Sequence, residues 1–193
     1  ADGVEERFLT LFERLGIGPV ASLPPRRSTD LPAVGPGTKL LLTQPFLGQT
    51  ARALQAKGAE LISSPYPLGV EGSELWFRAA ARAFGVADEH TTSVLEPLVT
   101  RGRAALEPHR KALQGKRLFL LPDSQMELAL GRFLQRECGM ELVEVGTPYL
   151  DRSLQQEELD LLPADVHLSE GQNVEDQLAV SYTHLTLPTT GVV

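Results

Sequence analysis

One short segment of the sequence combines polar groups that could bind or orient a ligand. Asp123 and Ser124 follow Pro122, directly after an apolar run that predicts a buried strand ending at Leu121. Ser124 and Glu127 have the spacing of a capping box, which predicts that a helix begins here. In open α/β sheets, ligands bind beyond the carboxyl ends of the strands, so these side chains could position a substrate. The alternative is structural: the serine caps the helix and the aspartate favours its positive end.

The same positional argument selects three further predicted strand ends, at residues 44–46, 64–66 and 146–148. The first of them adds Phe46 to the candidates. We therefore expect Phe46, Pro122, Asp123 and Ser124 to line a substrate cavity. No residue is assigned a catalytic, cofactor-binding or metal-ligating role.

Other residue types that support catalysis lack the spacing they would need. No G-x-G-x-x-G opens a helix, and the sequence has no P-loop, H-E-x-x-H, C-x-x-C or G-x-S-x-G motif. His90, His109 and His167 lie far apart, so each is interpreted as a surface or hydrogen-bonded residue. Cys138 is the single cysteine and is interpreted as a buried apolar thiol. A lone thiol fits a reducing, cytoplasmic setting.

The elements that must position these residues alternate between strands and helices. Strands are predicted at residues 39–43, 59–63, 117–121, 141–145 and 166–168. Helices are predicted at the start of the chain, before Gly58, from Ser73, from Ser124 and at residues 154–162. Repeated strand–helix units of this length imply parallel sheets with helices on both faces, the doubly wound α/β class.

A weak internal repeat divides these elements into two Rossmann-like lobes. Residues 53–62 resemble residues 133–143, and each stretch is followed by a Pro–Tyr pair. We expect a partial first lobe at 1–90, a helical connector at 91–114 and a truncated second lobe at 115–178. Pro97 and Pro108 should interrupt the connector helix, because proline removes a helical hydrogen bond.

Both ends of the sequence suggest a piece of a longer protein. The chain begins without Met and enters at once an apolar stripe formed by Val4, Phe8, Leu11, Phe12 and Leu15. Residues 179–193 change to an uncharged, Thr-rich composition that resembles translated sequencing-adapter read-through. We expect that stretch to be a non-native tail, with a true strand or a floppy tail as the alternative.

Composition limits the classes of function. The 193 residues are 42% hydrophobic and 22% charged, which is typical of a globular protein. A net charge of −7 argues against nucleic acid as the main partner. No apolar run approaches the roughly 20 residues that span a bilayer.

The order of several segments resembles the N subunits of light-independent (dark-operative) protochlorophyllide reductases, particularly those of purple photosynthetic bacteria. The resemblance runs from about Asp2 to Leu178, and its strongest stretch begins at Leu121. The matching segments are residues 31–38, 44–47, 65–72, 121–127, 129–134, 139–150 and 168–172.

This resemblance implies a nitrogenase component-1-like fold and an ATP-dependent, ferredoxin-type oxidoreductase of (bacterio)chlorophyll biosynthesis. The expected complex is a heterotetramer of N and B subunits that binds protochlorophyllide and reduces its ring D double bond to give chlorophyllide. An ATP-hydrolysing L protein would deliver electrons through a [4Fe–4S] cluster held by three N-subunit cysteines and a B-subunit aspartate.

The sequence departs from the family pattern at the cluster. Cys138 aligns with none of the three ligand positions, so we expect the ligands to lie outside this sequence and the fragment alone to be inactive. A second hypothesis is a non-redox α/β binding module, such as the nucleotide-sugar lobe of a glycosyltransferase.

Overall fold

The computed structural model describes residues 2–172, in which helices and parallel strands alternate. The chain divides into two compact units between Pro108 and His109. The helices are α1 Asp2–Arg14, α2 Gly48–Gln55, α3 Gly69–Ala83, α4 Asp88–Leu113, α5 Glu127–Arg132 and α6 Arg152–Leu159. The strands are β1 Lys39–Leu40, β2 Glu60–Leu61, β3 Arg117–Leu120, β4 Glu141–Thr147 and β5 His167–Glu170. The predicted tail at 179–193 lies outside the described residues.

An aromatic cluster forms the core of the first unit. Phe8 and Phe12 of α1 meet Trp76 and Phe77 of α3, with ring centroids 5.1 to 5.5 Å apart, and the Trp76 and Phe77 rings are 5.0 Å from each other. These tilted and edge-to-face arrangements suit the ring quadrupoles. The predicted apolar stripe on α1 therefore packs inward, except for Val4, which is exposed.

The sheet of the first unit is shorter than the sequence predicts. Strands β1 and β2 are parallel, and each contributes two residues to the pairing. The chain leaves the sheet after Leu40, and the indole N–H of Trp76 donates to the carbonyl of Leu42 at 2.7 Å. That carbonyl is therefore satisfied by a core side chain instead of a neighbouring strand.

Two predictions about the helices of this unit are wrong. Helix α3 begins at Gly69, and Ser73 lies inside it, where its hydroxyl donates to the Gly69 carbonyl at 2.6 Å. Helix α4 runs unbroken over 26 residues through Pro97 and Pro108. Each proline removes one helical hydrogen bond, but burial of an apolar face that includes Val94 holds the helix together.

Helix α4 also passes very close to α3. A Cβ atom placed on Gly102 would lie 2.7 Å from Cγ2 of Val70, well inside van der Waals contact. Glycine is therefore the residue that allows this approach.

The second unit is a parallel sheet in the order β3-β4-β5. Helices α5 and α6 connect consecutive strands and contact each other, so they cover the same face, as successive right-handed crossovers require. Leu128, Val145 and Leu162 form the buried centre of this core. Helix α5 lies close against the sheet, because a Cβ on Gly131 would come within 3.2 Å of Leu142.

A buried ion pair joins α5 to α6. The Nε of Arg132 lies 2.6 Å from Oε2 of Glu158, and both side chains are fully buried. Glu137 lies 3.7 Å from the same guanidinium. The paired charges lower the cost of taking each group out of water.

The parallel sheets and alternating helices confirm the predicted α/β class. Among the described residues, no helix has the length and apolar character needed to cross a bilayer.

Candidate functional site

The loop that follows β3 contains three of the four candidate residues. Strand β3 ends at Leu120 and helix α5 begins at Glu127. The predicted strand end at Leu121 and helix start at Ser124 are therefore both wrong, and the loop between the two elements is longer than the sequence indicates. Pro122 is half-buried in this loop.

Glu127 holds the backbone of this loop. Its Oε1 accepts hydrogen bonds from the N–H groups of Asp123 at 2.8 Å and Ser124 at 2.6 Å. The carboxylate is 4% exposed. The glutamate half of the predicted capping box is therefore present. The serine half differs, because the Ser124 hydroxyl accepts from the N–H of Met126 at 3.3 Å and does not cap the helix.

Gln125 adopts a left-handed conformation with φ of 71°, which is unfavourable for a residue with a Cβ. Its carbonyl accepts a hydrogen bond at 3.2 Å from the side-chain amide of Gln155, a buried residue of α6. Two buried side chains from two helices thus fix three consecutive loop residues, Asp123, Ser124 and Gln125.

The outer surface of the loop combines a charge with apolar groups. Asp123 and Ser124 are exposed, and Leu121 is 41% exposed. Tyr149, just beyond the end of the neighbouring strand β4, is 54% exposed. The hydroxyl of Thr147 donates to the Tyr149 carbonyl at 3.2 Å and helps to fix its backbone.

Sequence reasoning did not identify Leu121, Tyr149, Glu127 or Gln155 as parts of this site. Leu121 belongs to an apolar run and was expected to be buried. Glu127 was assigned to helix capping alone. The available signal for Tyr149 was its place directly after the predicted strand end at residues 146–148.

Phe46 lies in the first unit. It occupies a short 3₁₀ turn, Pro45–Leu47, where Pro45 is buried and Phe46 is 47% exposed. Pro122, Asp123 and Ser124 are neighbours within one loop of the second unit. Tyr66, which follows the end of β2, is buried and presents no surface to a ligand.

The residues that the structure describes do not fit an iron–sulfur cluster, and the full sequence contains one cysteine. No group of three or more His, Cys, Asp or Glu side chains that could hold a metal occurs within the described part of the chain. Cys138 is buried, and burial raises the pKa of its thiol, as does the charge of Glu137, while Arg110 opposes them. Since the thiolate is the form that binds metal, these surroundings disfavour ligation.

Comparison with known proteins places this chain in a family. Residues 5–182 match the model of nitrogenase component 1 type oxidoreductases, and the chain belongs to that family. It is 96% identical over 178 residues to the light-independent protochlorophyllide reductase subunit N of Synechococcus sp. strain RCC307. It is 60% identical to the same subunit of Prochlorococcus marinus strain MIT 9303 and 64% identical to that of Parasynechococcus marenigrum strain WH8102.

Each of these alignments covers 92% of this chain but 42 to 43% of the relative. The chain therefore spans less than half the length of the curated relatives it matches. The predicted resemblance to N subunits is confirmed, and the glycosyltransferase alternative is not supported. The prediction of a purple-bacterial form is wrong, since a Synechococcus protein is nearly identical.

Proposed function

We propose that this chain is part of the N subunit of a light-independent protochlorophyllide reductase. In this proposal the complete enzyme reduces the ring D double bond of protochlorophyllide to give chlorophyllide. The observation that carries the proposal is the 96% identity to a subunit of that name across 92% of the chain.

The proposed partners are a B subunit, which completes a heterotetramer, and an ATP-hydrolysing L protein, which donates electrons. A relative named as a subunit implies partner chains. The [4Fe–4S] cluster between N and B would take its ligands from outside this chain, which offers one buried thiol. That thiol also suits a reducing cytoplasmic setting.

The loop after β3 is proposed to wall the protochlorophyllide cavity. A tetrapyrrole is large, flat and mostly apolar, with a few polar substituents. Leu121 and Tyr149 offer exposed apolar surface at adjacent strand ends, and Asp123, also exposed, adds one charge on the same loop as Leu121. Ligand sites combine these features, an apolar lining with few polar groups that fix orientation. Phe46 is a separate proposal for a substrate-lining residue, supported by its 47% exposure within the first unit.

Replacing Asp123 in the full-length N subunit, assembled with its B partner, tests this role. Asp123→Ala should weaken protochlorophyllide binding about tenfold, the value of one hydrogen bond to a charged group. Iron content and N–B assembly should be unchanged, because Asp123 holds no metal. Pigment affinity is measured by titration, and turnover by chlorophyllide formation.

Asp165→Ala is the matched control. Asp165 is also exposed, but it lies before β5, at the amino end of the sheet. It should leave pigment binding unchanged. If Asp123→Ala and Asp165→Ala both behave like the wild type, the loop is a turn and not part of the cavity.

A further inference from the structure

We propose that Glu127 is the positioning residue of the loop after β3, and that Gln155 is its second anchor. Together they hold the backbone so that the Asp123 carboxylate faces the substrate. This inference rests on the proposed function, since it assigns a role to residues behind the proposed cavity wall.

The first support is the direction of the Glu127 carboxylate. It turns back from the first turn of α5 and accepts two backbone N–H bonds from residues that precede the helix. Its other oxygen, Oε2, is buried and accepts no hydrogen bond from the described residues. A buried carboxylate with one unsatisfied oxygen is costly. The two backbone bonds at Oε1 are therefore the contacts that offset this cost, and they hold the loop backbone in place.

The second support comes from α6. The Gln155 side chain is 1% exposed, and its amide nitrogen donates to the carbonyl of Gln125. That bond holds the residue with left-handed φ, the least favourable backbone conformation in the loop. The Oε1 of Gln155, like the Oε2 of Glu127, is buried and has no hydrogen-bond partner among the described residues. Both anchors are therefore buried side chains that bond the loop: Gln155 contacts its backbone, and Glu127 contacts its backbone and, at 3.4 Å, the Ser124 hydroxyl.

The third support is what the anchored loop presents. The Asp123 carboxylate is exposed and accepts no hydrogen bond from any residue between 2 and 172. Only its backbone N–H is engaged, by Glu127. Its position is thus fixed through the main chain, while the carboxylate remains available to a substrate. Such an arrangement pre-organises a polar group without occupying it.

A double-mutant cycle in the full-length N–B complex tests the inference. Glu127→Ala should raise KM for protochlorophyllide about tenfold, as Asp123→Ala does, because both remove the same positioned carboxylate. The double variant should be little worse than either single one, since residues that act as a unit are not additive. Glu127→Gln keeps an acceptor for the two N–H groups and should restore most of the affinity.

Leu142→Ala is the control for general destabilisation. It removes apolar bulk from the core beneath α5 and lies opposite Leu118, near the amino end of β3, so it should lower the thermal midpoint and leave KM unchanged. If Glu127→Ala prevents assembly, Gln155→Leu removes the other anchor at similar volume and should raise KM in the same way.

Two failures can be told apart. If Asp123→Ala raises KM but neither Glu127→Ala nor Gln155→Leu does, or if the effects of Asp123→Ala and Glu127→Ala are additive, the positioning role is refuted and the proposed function stands. If Asp123→Ala itself leaves KM unchanged, the loop does not face the pigment. The cavity-wall role of the loop and the positioning role of Glu127 are then both refuted, while the N-subunit proposal, which rests on sequence identity, is unaffected.

Discussion

Two carboxylates four positions apart in the second unit have opposite surroundings. Asp123 is exposed within the loop after β3, whereas Glu127, the first residue of α5, is buried. A hydrogen bond links the two residues: the backbone N–H of Asp123 donates to the buried Glu127 carboxylate, which fixes the main chain at Asp123. At the residue scale, the candidate site is therefore a surface group and the internal contacts that hold it in place.

Ser124 is expected to contribute little to stability. Its hydroxyl makes two long bonds, accepting from the Met126 nitrogen at 3.3 Å and donating to Oε1 of Glu127 at 3.4 Å, and does not cap α5. Ser124→Ala should change the unfolding free energy by less than about 0.5 kcal/mol, whereas loss of an N-cap costs about 1 kcal/mol. Thermal unfolding of the full-length subunit measures the difference. A loss of 1 kcal/mol or more would show that the serine is a cap after all.

Helix α4 shows how one small residue sets the distance between elements. The helix continues through two prolines because it buries an apolar face, and Gly102 lets it approach α3. Close packing of this kind tolerates added volume poorly.

Gly102→Ala should therefore destabilise α4. The added methyl group would meet Val70, and overpacking costs about 1 to 3 kcal/mol, more than the roughly 1 kcal/mol gained from helix propensity. Native-state hydrogen exchange of the α4 amides reports the change. Combining it with Val70→Ala should remove most of the cost.

Gly3→Ala in α1 is the matched control, because a Cβ there meets nothing within 4 Å. It should be neutral or slightly stabilising. Equal effects at Gly3 and Gly102 would contradict the packing argument.

Sequence periodicity was sufficient for the class of fold but not for the lengths of its elements. The alternation of apolar runs and helical stripes correctly predicted parallel strands and most of the helices. It failed where a tertiary contact decides the outcome. The Trp76 indole N–H donates a hydrogen bond to the carbonyl of Leu42, which shortens the pairing of β1. Burial of its apolar face keeps α4 continuous through Pro97 and Pro108. Local propensity contains neither effect.

The same limit applies to the candidate site. The strand-end rule located the loop, because it depends on element order alone. It could not show that Glu127 turns back toward Asp123, nor that Gln155 reaches Gln125 across 30 positions of sequence. The exposure of Leu121 and Tyr149 depends equally on the arrangement of neighbouring strands.

At the scale of the whole molecule, the chain combines two compact α/β units with a long helix that crosses their boundary. We propose that the part of this helix within residues 91–114 acts as the connector between lobes at 1–90 and 115–178. The chain spans less than half the length of the curated relatives reported above.

This polypeptide alone is expected to bind no [4Fe–4S] cluster. Such a cluster normally takes four thiolates, and the sequence has one cysteine, whose thiol pKa is raised by burial. Anaerobic reconstitution followed by iron and sulfide analysis should give far less than one cluster per chain. Cys138→Ser should not change the result. About four irons per chain, lost in that variant, would contradict this expectation.

The buried pair of Arg132 and Glu158 also restricts how this sequence can evolve. Removing either partner alone leaves the other charge in a low-dielectric interior, at a cost of about 3 to 5 kcal/mol, which is a large part of the stability of a domain. Replacing both partners of an isolated buried pair with apolar residues of similar size is close to neutral, but here Glu137 would also lose the guanidinium 3.7 Å from its carboxylate. A lineage can therefore abandon the pair by changing both codons together, or after gaining stability elsewhere. Ordinary stepwise drift leaves both positions fixed.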